Sequence, residues 1–319
     1  MNTFTVKSRF ILSAVLYVIC FAVFASDVSC QFEPLSENVY VINGSDVDKC
    51  PAKRLEHPVT NPVAIVGEAG IILVDPGSSQ QVGKLVVDRL RKISVKPVTA
   101  IINTHIHGLY WLANHAVKEE FPDVKIYAHQ GMIGRIESGE GLFWLDAITG
   151  NYHGAKTFIA APDTSLTGIG SLNLNGIDLK IHQLEHAHTN HDILIEVIKD
   201  KILILGGLVV EPEVPSQGVP QDANFKGQIE ATKFAIQLEM NTYIPGQGFP
   251  QGIELPQRGL RFLQALYSGV ERHYLEGLED FEITDLLKHE LSEFKQWYHF
   301  DGLGRVIAEI YLQVEQENF

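Results

Sequence analysis

The sequence is poor in positive charge. Its 25 lysine and arginine residues are outnumbered by 39 aspartate and glutamate residues, which gives a formal net charge of −14 at pH 7. The basic residues are scattered among acidic ones, and no basic face is evident. A protein that binds the phosphates of nucleic acids needs such a face. The composition therefore argues against DNA or RNA as a partner.

Several motifs of catalysis and cofactor binding are also missing. The chain has no Gly-x-Ser-x-Gly nucleophile elbow, no Gly-x-x-x-x-Gly-Lys phosphate loop and no glycine fingerprint of a dinucleotide site. Its three cysteines form no cluster for zinc or an iron–sulfur centre. Low-complexity stretches and short repeats are absent as well. These absences exclude the serine-hydrolase, nucleotide-binding and cysteine-cluster classes.

The N-terminus has the features of an export signal. Lys7 and Arg9 precede the apolar run Phe10–Phe24, which is shorter than the ~20 residues that a membrane span needs. We therefore predict a signal peptide over residues 1–25 and a periplasmic or secreted protein without stable membrane insertion. An uncleaved membrane anchor is the alternative. Cleavage would leave 23 basic and 39 acidic residues, a net charge of −16.

Two cysteines remain after the predicted cleavage. Cys30 and Cys50 form an even pair near the mature N-terminus, in a compartment that would oxidise them. The sequence leaves open whether they form a disulfide or remain two thiols.

Strands and helices are predicted in an order that suits a layered α/β fold. The 319 residues are 45% hydrophobic, enough for a large core in one domain or two. Hairpins are expected over residues 62–74 and 193–205, and helices over residues 81–93, 112–121 and 225–237. Residues 130–165 are expected to form a loop with helical turns over a site, and residues 257–317 to be helical. The pattern of strands and helices, repeated once, predicts two similar halves with the helices outside.

A pair of histidines follows a predicted buried strand. Val98–Ile102 is apolar, and His105 and His107 come just after it. In an extended chain, residues two apart point to the same side, so the two imidazoles can approach one point. The pair predicts part of a metal site, although two ordinary histidines at the end of a strand would give the same pattern.

More histidines precede the second hairpin. The segment from His186 to Asp192 holds three histidines within six residues. We expect His182 and His186 to be solvated. Trp111, Phe143 and Trp144 are candidates either for the core or for the lining of a pocket.

The motifs together resemble the metallo-β-lactamase fold superfamily of metal-dependent hydrolases. Five segments carry the resemblance in order: residues 73–77 (LVDPG), residues 103–108 (NTHIHG) with residues 112–114 (LAN), residues 188–192 (HTNHD), residues 205–209 (LGGLV) and residues 244–248 (IPGQG). The resemblance implies a mixed α/β (α+β) fold, a four-layer αββα sandwich with extra C-terminal helices. It divides the mature chain into a metallo-β-lactamase-like domain over residues 26–256 and a helical extension over residues 257–319 packed on it.

The resemblance also implies a metal site, from which some ligands are missing. His105, His107 and His188 match the ligands of the family's first metal, whereas the residues that match the ligands of the second are Leu109, Tyr110, Gly207 and Gln247. All losses fall on the second metal. Three neutral imidazoles with an open fourth position form the ligand set of a catalytic zinc. We therefore expect one Zn²⁺, whose bound water would have a pKa of about 7 and supply hydroxide for hydrolysis.

Proton transfer must then use other side chains, because Leu109 replaces the carboxylate expected beside that water. His191, Tyr110 and Asp192 are the candidate catalytic residues, with His191 first because of its ordinary pKa. Tyr110 is expected to donate a hydrogen bond rather than to take a proton. For Asp75 the resemblance implies a buried carboxylate that braces the histidine loop.

The predicted function is hydrolysis of an ester, lactone, amide or similar small molecule. An inactive pseudoenzyme that binds a ligand on the same fold is the alternative, favoured by Leu109, Gly207 and Gln247. A redox-active mononuclear iron site is a third hypothesis, although such a site usually recruits a carboxylate beside two histidines. We expect residues 130–162 to set specificity.

Overall fold

The computed structural model describes residues 30–46, 48–50, 56, 58–150, 156–214 and 222–318. The predicted signal peptide over residues 1–25 lies outside these residues. Among the described residues, no helix combines the length and the apolarity that crossing a bilayer requires.

Twelve strands of the described chain form two sheets. The first sheet has the order β1-β2-β3-β4-β5-β6-β7, and the second has the order β12-β11-β10-β9-β8. The strands of the first sheet are β1 (Glu33–Pro34), β2 (Val39–Val41), β3 (Val63–Val66), β4 (Ile71–Val74), β5 (Val98–Ile102), β6 (Lys125–Ala128) and β7 (Thr164–Ser165). Those of the second sheet are β8 (Ser171–Leu174), β9 (Ile177–Gln183), β10 (Ile193–Val197), β11 (Ile202–Val210) and β12 (Thr242–Gln247).

Nine α-helices accompany the sheets in the described residues. They are α1 (Gln80–Ile93), α2 (Gly108–Trp111), α3 (Asn114–Glu120), α4 (Gln130–Arg135), α5 (Gly141–Thr149), α6 (Phe225–Gln237), α7 (Glu254–Leu275), α8 (Asp280–Glu290) and α9 (Leu303–Asn318). A π-helical turn over Ile136–Glu140 joins α4 to α5, and two short 3₁₀ turns, Ser292–Phe294 and Phe300–Gly302, lie between α8 and α9.

The two sheets pack face to face, and helices cover their outer faces. Between the sheets lies a core of β-branched and aliphatic side chains from both, such as Ile72 and Ile102 from the first and Ile195 and Ile204 from the second. Helices α1 and α3 pack on the outside of the first sheet, and α6 packs on the outside of the second. This arrangement is the expected αββα sandwich.

The sandwich continues into the C-terminal helices through α6. Phe225 and Ile229 of α6 share one apolar cluster with residues of α7, α8 and α9, including Phe262, Leu287 and Ile310. Burial of these side chains stabilises the contact, at roughly 25 cal/mol for each Å² of apolar surface removed from water. The expected helical C-terminus is present, and α7 begins at Glu254 rather than at residue 257.

The helix predicted over residues 112–121 is present as α3, and a separate short helix, α2, precedes it. Helix α2 begins directly after His107 and ends at Trp111, and α3 begins at Asn114. The break has a backbone cause, because the N–H of Ala113 donates to the carbonyl of Gly77 and the N–H of Gly77 donates to the carbonyl of Tyr110. These bonds hold the histidine loop against the turn that follows β4.

Cys30 and Cys50 form a disulfide, which answers the question that the sequence left open. Both cysteines are buried and belong to the apolar cluster outside the first sheet. The bond therefore ties the start of the described chain to the segment that leads into β3.

We expect the Cys30→Ser/Cys50→Ser variant to lose about 2–4 kcal/mol of unfolding free energy, because the unfolded chain regains the freedom that the cross-link removes. Urea denaturation with and without reductant measures the loss. Reductant should destabilise the unaltered protein and leave the double variant unchanged. Free thiols at both positions in unreduced protein would contradict the assignment.

Candidate metal centre

The three predicted histidines come together at one edge of the sandwich. His105 and His107 follow β5, and His188 lies in the loop before β10, so each comes from a segment next to a strand end. One nitrogen from each ring lies within 4.8 Å of the other two, in the arrangement of a possible metal site. His188 Nε2 and His107 Nδ1 are 3.0 Å apart.

Hydrogen bonds set which nitrogen of His105 faces the cluster. The Thr104 hydroxyl donates to Asp75 Oδ2 at 2.6 Å. The Thr104 hydroxyl oxygen also lies 2.9 Å from His105 Nδ1. Since the hydroxyl proton goes to the carboxylate, the oxygen accepts the proton of Nδ1. The lone pair of His105 is therefore on Nε2, a buried atom with no hydrogen-bond partner among the described residues. This is the state that a metal ligand needs.

Asp75 is buried and hydrogen-bonded to the histidine loop. Its Oδ1 accepts the backbone N–H of Thr104 at 2.9 Å, in addition to the bond from the hydroxyl. Burial raises the pKa of Asp75 to about 7, and the hydrogen bonds from Thr104 oppose that rise. Asp75 contacts the histidine loop through Thr104.

His107 is oriented by a residue that the sequence analysis missed. The Asp222 carboxylate lies 3.4 Å from His107 Nε2, a charge contact longer than an ordinary hydrogen bond, and 2.9 Å from Arg135 Nη1. Burial alone would raise the pKa of Asp222, but its contacts with His107 and Arg135 leave that pKa below its ordinary value. An ionised carboxylate beside Nε2 favours a proton there, which leaves the lone pair of Nδ1 facing the cluster.

The imidazoles of His105 and His188 are uncharged at neutral pH. Burial lowers the pKa of both rings well below its ordinary value, and their histidine neighbours lower it further. Neutral imidazole is the form that binds metals, so these rings need not release a proton to bind one. The donor set, the burial and the lone-pair directions of His105 and His107 fit a bound metal ion.

The residues that replace the second metal's ligands contact one another. The side chain of Gln247 hydrogen-bonds the Tyr110 hydroxyl, and the Tyr110 ring centroid lies 4.3 Å from that of His105. Burial raises the pKa of Tyr110, so its hydroxyl stays protonated at neutral pH. Leu109 joins the apolar cluster under α4 and α5.

Gly207 lies against the histidines in the middle of β11. A Cβ at this position would lie 2.2 Å from His188 Cδ2 and 2.8 Å from His105 Nε2, closer than nonbonded atoms approach. The backbone therefore directly borders the two rings. Only glycine leaves the rings in this arrangement.

The other two candidate catalytic residues lie outside the cluster. Asp192 is buried and accepts the N–H and the hydroxyl of Thr189, at 2.7 and 2.8 Å, within its own loop. The ring of His191 stacks on that of His129, with 4.8 Å between centroids. Burial lowers the pKa of His191, so the ring is neutral near pH 7. Their catalytic roles stay predictions.

The structure also places the other histidines and the tryptophans that the sequence analysis singled out. His186 is exposed, as expected, but His182 is buried, and its Nε2 lies 2.8 Å from a Glu196 carboxylate oxygen. Trp111 is a core residue. Trp144 of α5 is also buried, and its ring centroid lies 4.7 Å from that of His107, so the segment expected over the site does cover it.

Comparison with known proteins agrees with this geometry. The model of the metallo-beta-lactamase superfamily matches residues 57–247, more than half of the chain. The chain therefore belongs to that superfamily. A search of curated protein sequences gave no significant match.

Solved structures share the fold at low sequence identity. A metallo-beta-lactamase from Pontibacter korlensis aligns with a TM-score of 0.57 and 17% identity, over 73% of this chain and 98% of that one. The metallo-beta-lactamase FIM-1 from Pseudomonas aeruginosa in its mono-zinc form aligns with a TM-score of 0.57 and 17% identity, over 75% of this chain and 96% of that one.

A third structure covers more of the chain. The inverting sec-alkylsulfatase Pisa1 from Pseudomonas sp. aligns with a TM-score of 0.66 and 14% identity, over 89% of this chain. This chain spans 50% of the length of that protein.

We expect Thr104→Val to weaken zinc binding about 10- to 100-fold, because it removes the hydroxyl that sets the proton on His105 while keeping the side-chain shape. Thr104→Ser keeps the hydroxyl and should bind zinc nearly as the unaltered protein does. Competition with a chromophoric chelator measures the affinities. Equal affinities for the valine and serine variants would show that the Thr104 hydroxyl does not determine which nitrogen of His105 carries the proton.

We also expect Gly207→Ala to weaken zinc binding, because its Cβ would push His188 and His105 apart. Gly134→Ala in α4 is the matched control, since a Cβ there meets no atom within 4 Å. The same chelator competition applies to both variants. Unchanged affinity in the Gly207 variant would mean that the rings adopt another arrangement in the metal-bound protein.

Proposed function

We propose that this chain is an exported hydrolase with a single zinc ion on His105, His107 and His188. The observation that supports the proposal most directly is the convergence of one nitrogen from each of three imidazole rings in a buried site, with the opposite nitrogens of His105 and His107 facing Thr104 and Asp222. The substrate class is a small molecule with an ester, lactone, amide or similar bond. Zinc, when bound, supplies Lewis-acid activation of water and polarises the substrate's carbonyl or phosphoryl oxygen.

Residues around the cluster would do the remaining work. The Tyr110 hydroxyl is protonated at neutral pH and is held by Gln247, so we assign it a hydrogen bond to the substrate oxygen that gains negative charge. His191 is neutral near pH 7 and is assigned the role of proton acceptor at the rim of the site. Trp144 covers His107 and excludes water from that side.

A single zinc is favoured by the side chains on the second metal's side. Tyr110 and Gln247 bond to each other there, and Gly207 brings no ligand atom. None of these groups offers the carboxylate or imidazole that a second zinc ion would need. The neutral, hydrogen-bonded pair of Tyr110 and Gln247 thus takes the place of ligands for a second metal.

The same replacements favour a second candidate, a ligand-binding protein without turnover. Leu109 offers no carboxylate beside the cluster, and the nearby carboxylate of Asp222 is already engaged with His107 and Arg135. In that protein the pocket would bind a small molecule and release it unchanged.

Metal analysis of protein purified without a histidine tag tests the proposal. We expect about one zinc per chain, lost in His188→Ala and retained in His289→Ala, because His289 is an exposed residue of α8. Chelation should abolish hydrolysis of a panel of ester, lactone and amide substrates, and added zinc should restore it.

Other results would favour one of the alternative functions or contradict the ligand set. A metal-free chain, or a zinc-loaded chain without turnover on the whole panel, would favour the ligand-binding protein. About one iron per chain would favour the redox hypothesis. Retention of zinc in the His188 variant would remove the proposed ligand set.

A further inference from the structure

We infer that the C-terminal helix α9 positions the metal centre, because Gln313 holds the backbone that places Asp222 against His107. This inference rests on the proposed function only in requiring that the three histidines bind a metal. Gln313 would be a positioning residue, since it touches neither the histidines nor the substrate site. The C-terminal helices would then serve the site as well as the core.

Both polar ends of the Gln313 side chain bond to one short piece of backbone. Its Nε2 donates to the carbonyl of Ala223 at 2.7 Å, and its Oε1 accepts the N–H of Phe225 at 3.1 Å. The two bonds bracket Asn224, which directly precedes helix α6 and caps its N-terminus. A side-chain amide that bonds on both sides of a residue fixes the position and the orientation of that backbone.

The opposite side of the same backbone is bonded to the loop that carries His188. The carbonyl of Asp222 lies 3.1 Å from His186 Nε2, and the N–H of Asn224 donates to the carbonyl of Ala187 at 2.9 Å. Residues 222–225 therefore lie between α9 on one side and the loop before β10 on the other. Loss of the bonds from α9 would leave the segment held from one side only.

Asp222 transmits this position to the histidines. Its carboxylate is buried and contacts His107 Nε2 at 3.4 Å and Arg135 Nη1 at 2.9 Å. The Arg135 guanidinium is itself held by two bonds to Glu140, at 2.6 and 2.7 Å, across the π-helical turn. Because the contact with His107 is already long, a small shift of the Asp222 backbone would remove it and free the imidazole to turn.

Apolar packing and hydrogen bonding have separate roles in this contact. Ala223 and Phe225 share an apolar cluster with Val306, Ile310 and Val314 of α9, so burial holds the helix in place without Gln313. The two hydrogen bonds of the Gln313 amide then fix the position of the backbone of residues 223–225 relative to α9. A leucine at position 313 should therefore keep the helix docked while losing both hydrogen bonds.

The test compares Gln313→Leu with Gln316→Leu, an exposed residue three positions along the same helix. We expect zinc affinity to fall about 10- to 100-fold in the first variant, as for the loss of other groups that orient a metal ligand. The second variant should match the unaltered protein. Chelator competition measures affinity, and the visible absorption of the Co²⁺-loaded protein reports a change in ligand geometry.

A double-mutant cycle with Asp222→Asn separates positioning from general stability. If Gln313 acts through Asp222, the Gln313→Leu/Asp222→Asn variant should bind zinc no more weakly than Asp222→Asn alone. The free energy of unfolding, measured without metal, records any loss of stability in each variant.

Two results would overturn the inference. One is a Gln313→Leu protein with the zinc affinity and Co²⁺ spectrum of the unaltered protein. The other is a cycle in which the effects of the two substitutions simply add. In either case a metal-binding unaltered protein leaves the proposed function intact, whereas an unaltered protein that binds no metal would end both.

Discussion

Three imidazole rings converge in one buried site of this protein, and the polar side chains around them hold the rings in that arrangement. His188 Nε2 and His107 Nδ1 are 3.0 Å apart, so protonation of both rings would place two charges together without water. Burial and mutual repulsion keep His105 and His188 neutral. A neutral ring has one proton, and it must be on the nitrogen away from the cluster if the facing nitrogen is to bind a metal. Thr104, braced by Asp75, accepts it from His105, and Asp222 faces it on His107.

The fold delivers these partners because loops of both sheets meet at one edge of the sandwich. β5 leads into the histidine pair, β10 follows the loop of His188, and β11 runs past with Gly207 against the rings. Helices α4 and α5 close the site from above through Trp144 and Arg135. Asp222 comes from the segment before α6, where the sandwich meets the C-terminal helices. The C-terminal helices, which lie beyond the residues matched by the superfamily, are thus connected to the site.

The second metal's side of the superfamily site is chemically different in this chain. Where the family pattern has metal ligands, Tyr110 and Gln247 form a neutral pair and Gly207 has no side chain. Their contacts support the alignment of the motifs, because residues 110, 207 and 247 all lie beside the three histidines or beside one another. In the proposed function, a protonated phenol beside the single zinc ion would be a hydrogen-bond donor rather than a ligand.

Local and short-range patterns were sufficient to predict much of this protein. Alternating and apolar runs located β5 and α6 to the residue, because periodicity is a local property. The order of five motifs indicated the sandwich and the three histidines through their resemblance to the superfamily. The break between α2 and α3 was not predictable, since it depends on bonds from Gly77, some 30 residues away. Asp222, Arg135 and Gln313 belong to no motif, and the state of Cys30 and Cys50 was equally open. Only the tertiary structure decided these, because each depends on which distant segments meet, and no periodicity along a chain records a contact between residues 222 and 107 or between residues 313 and 223.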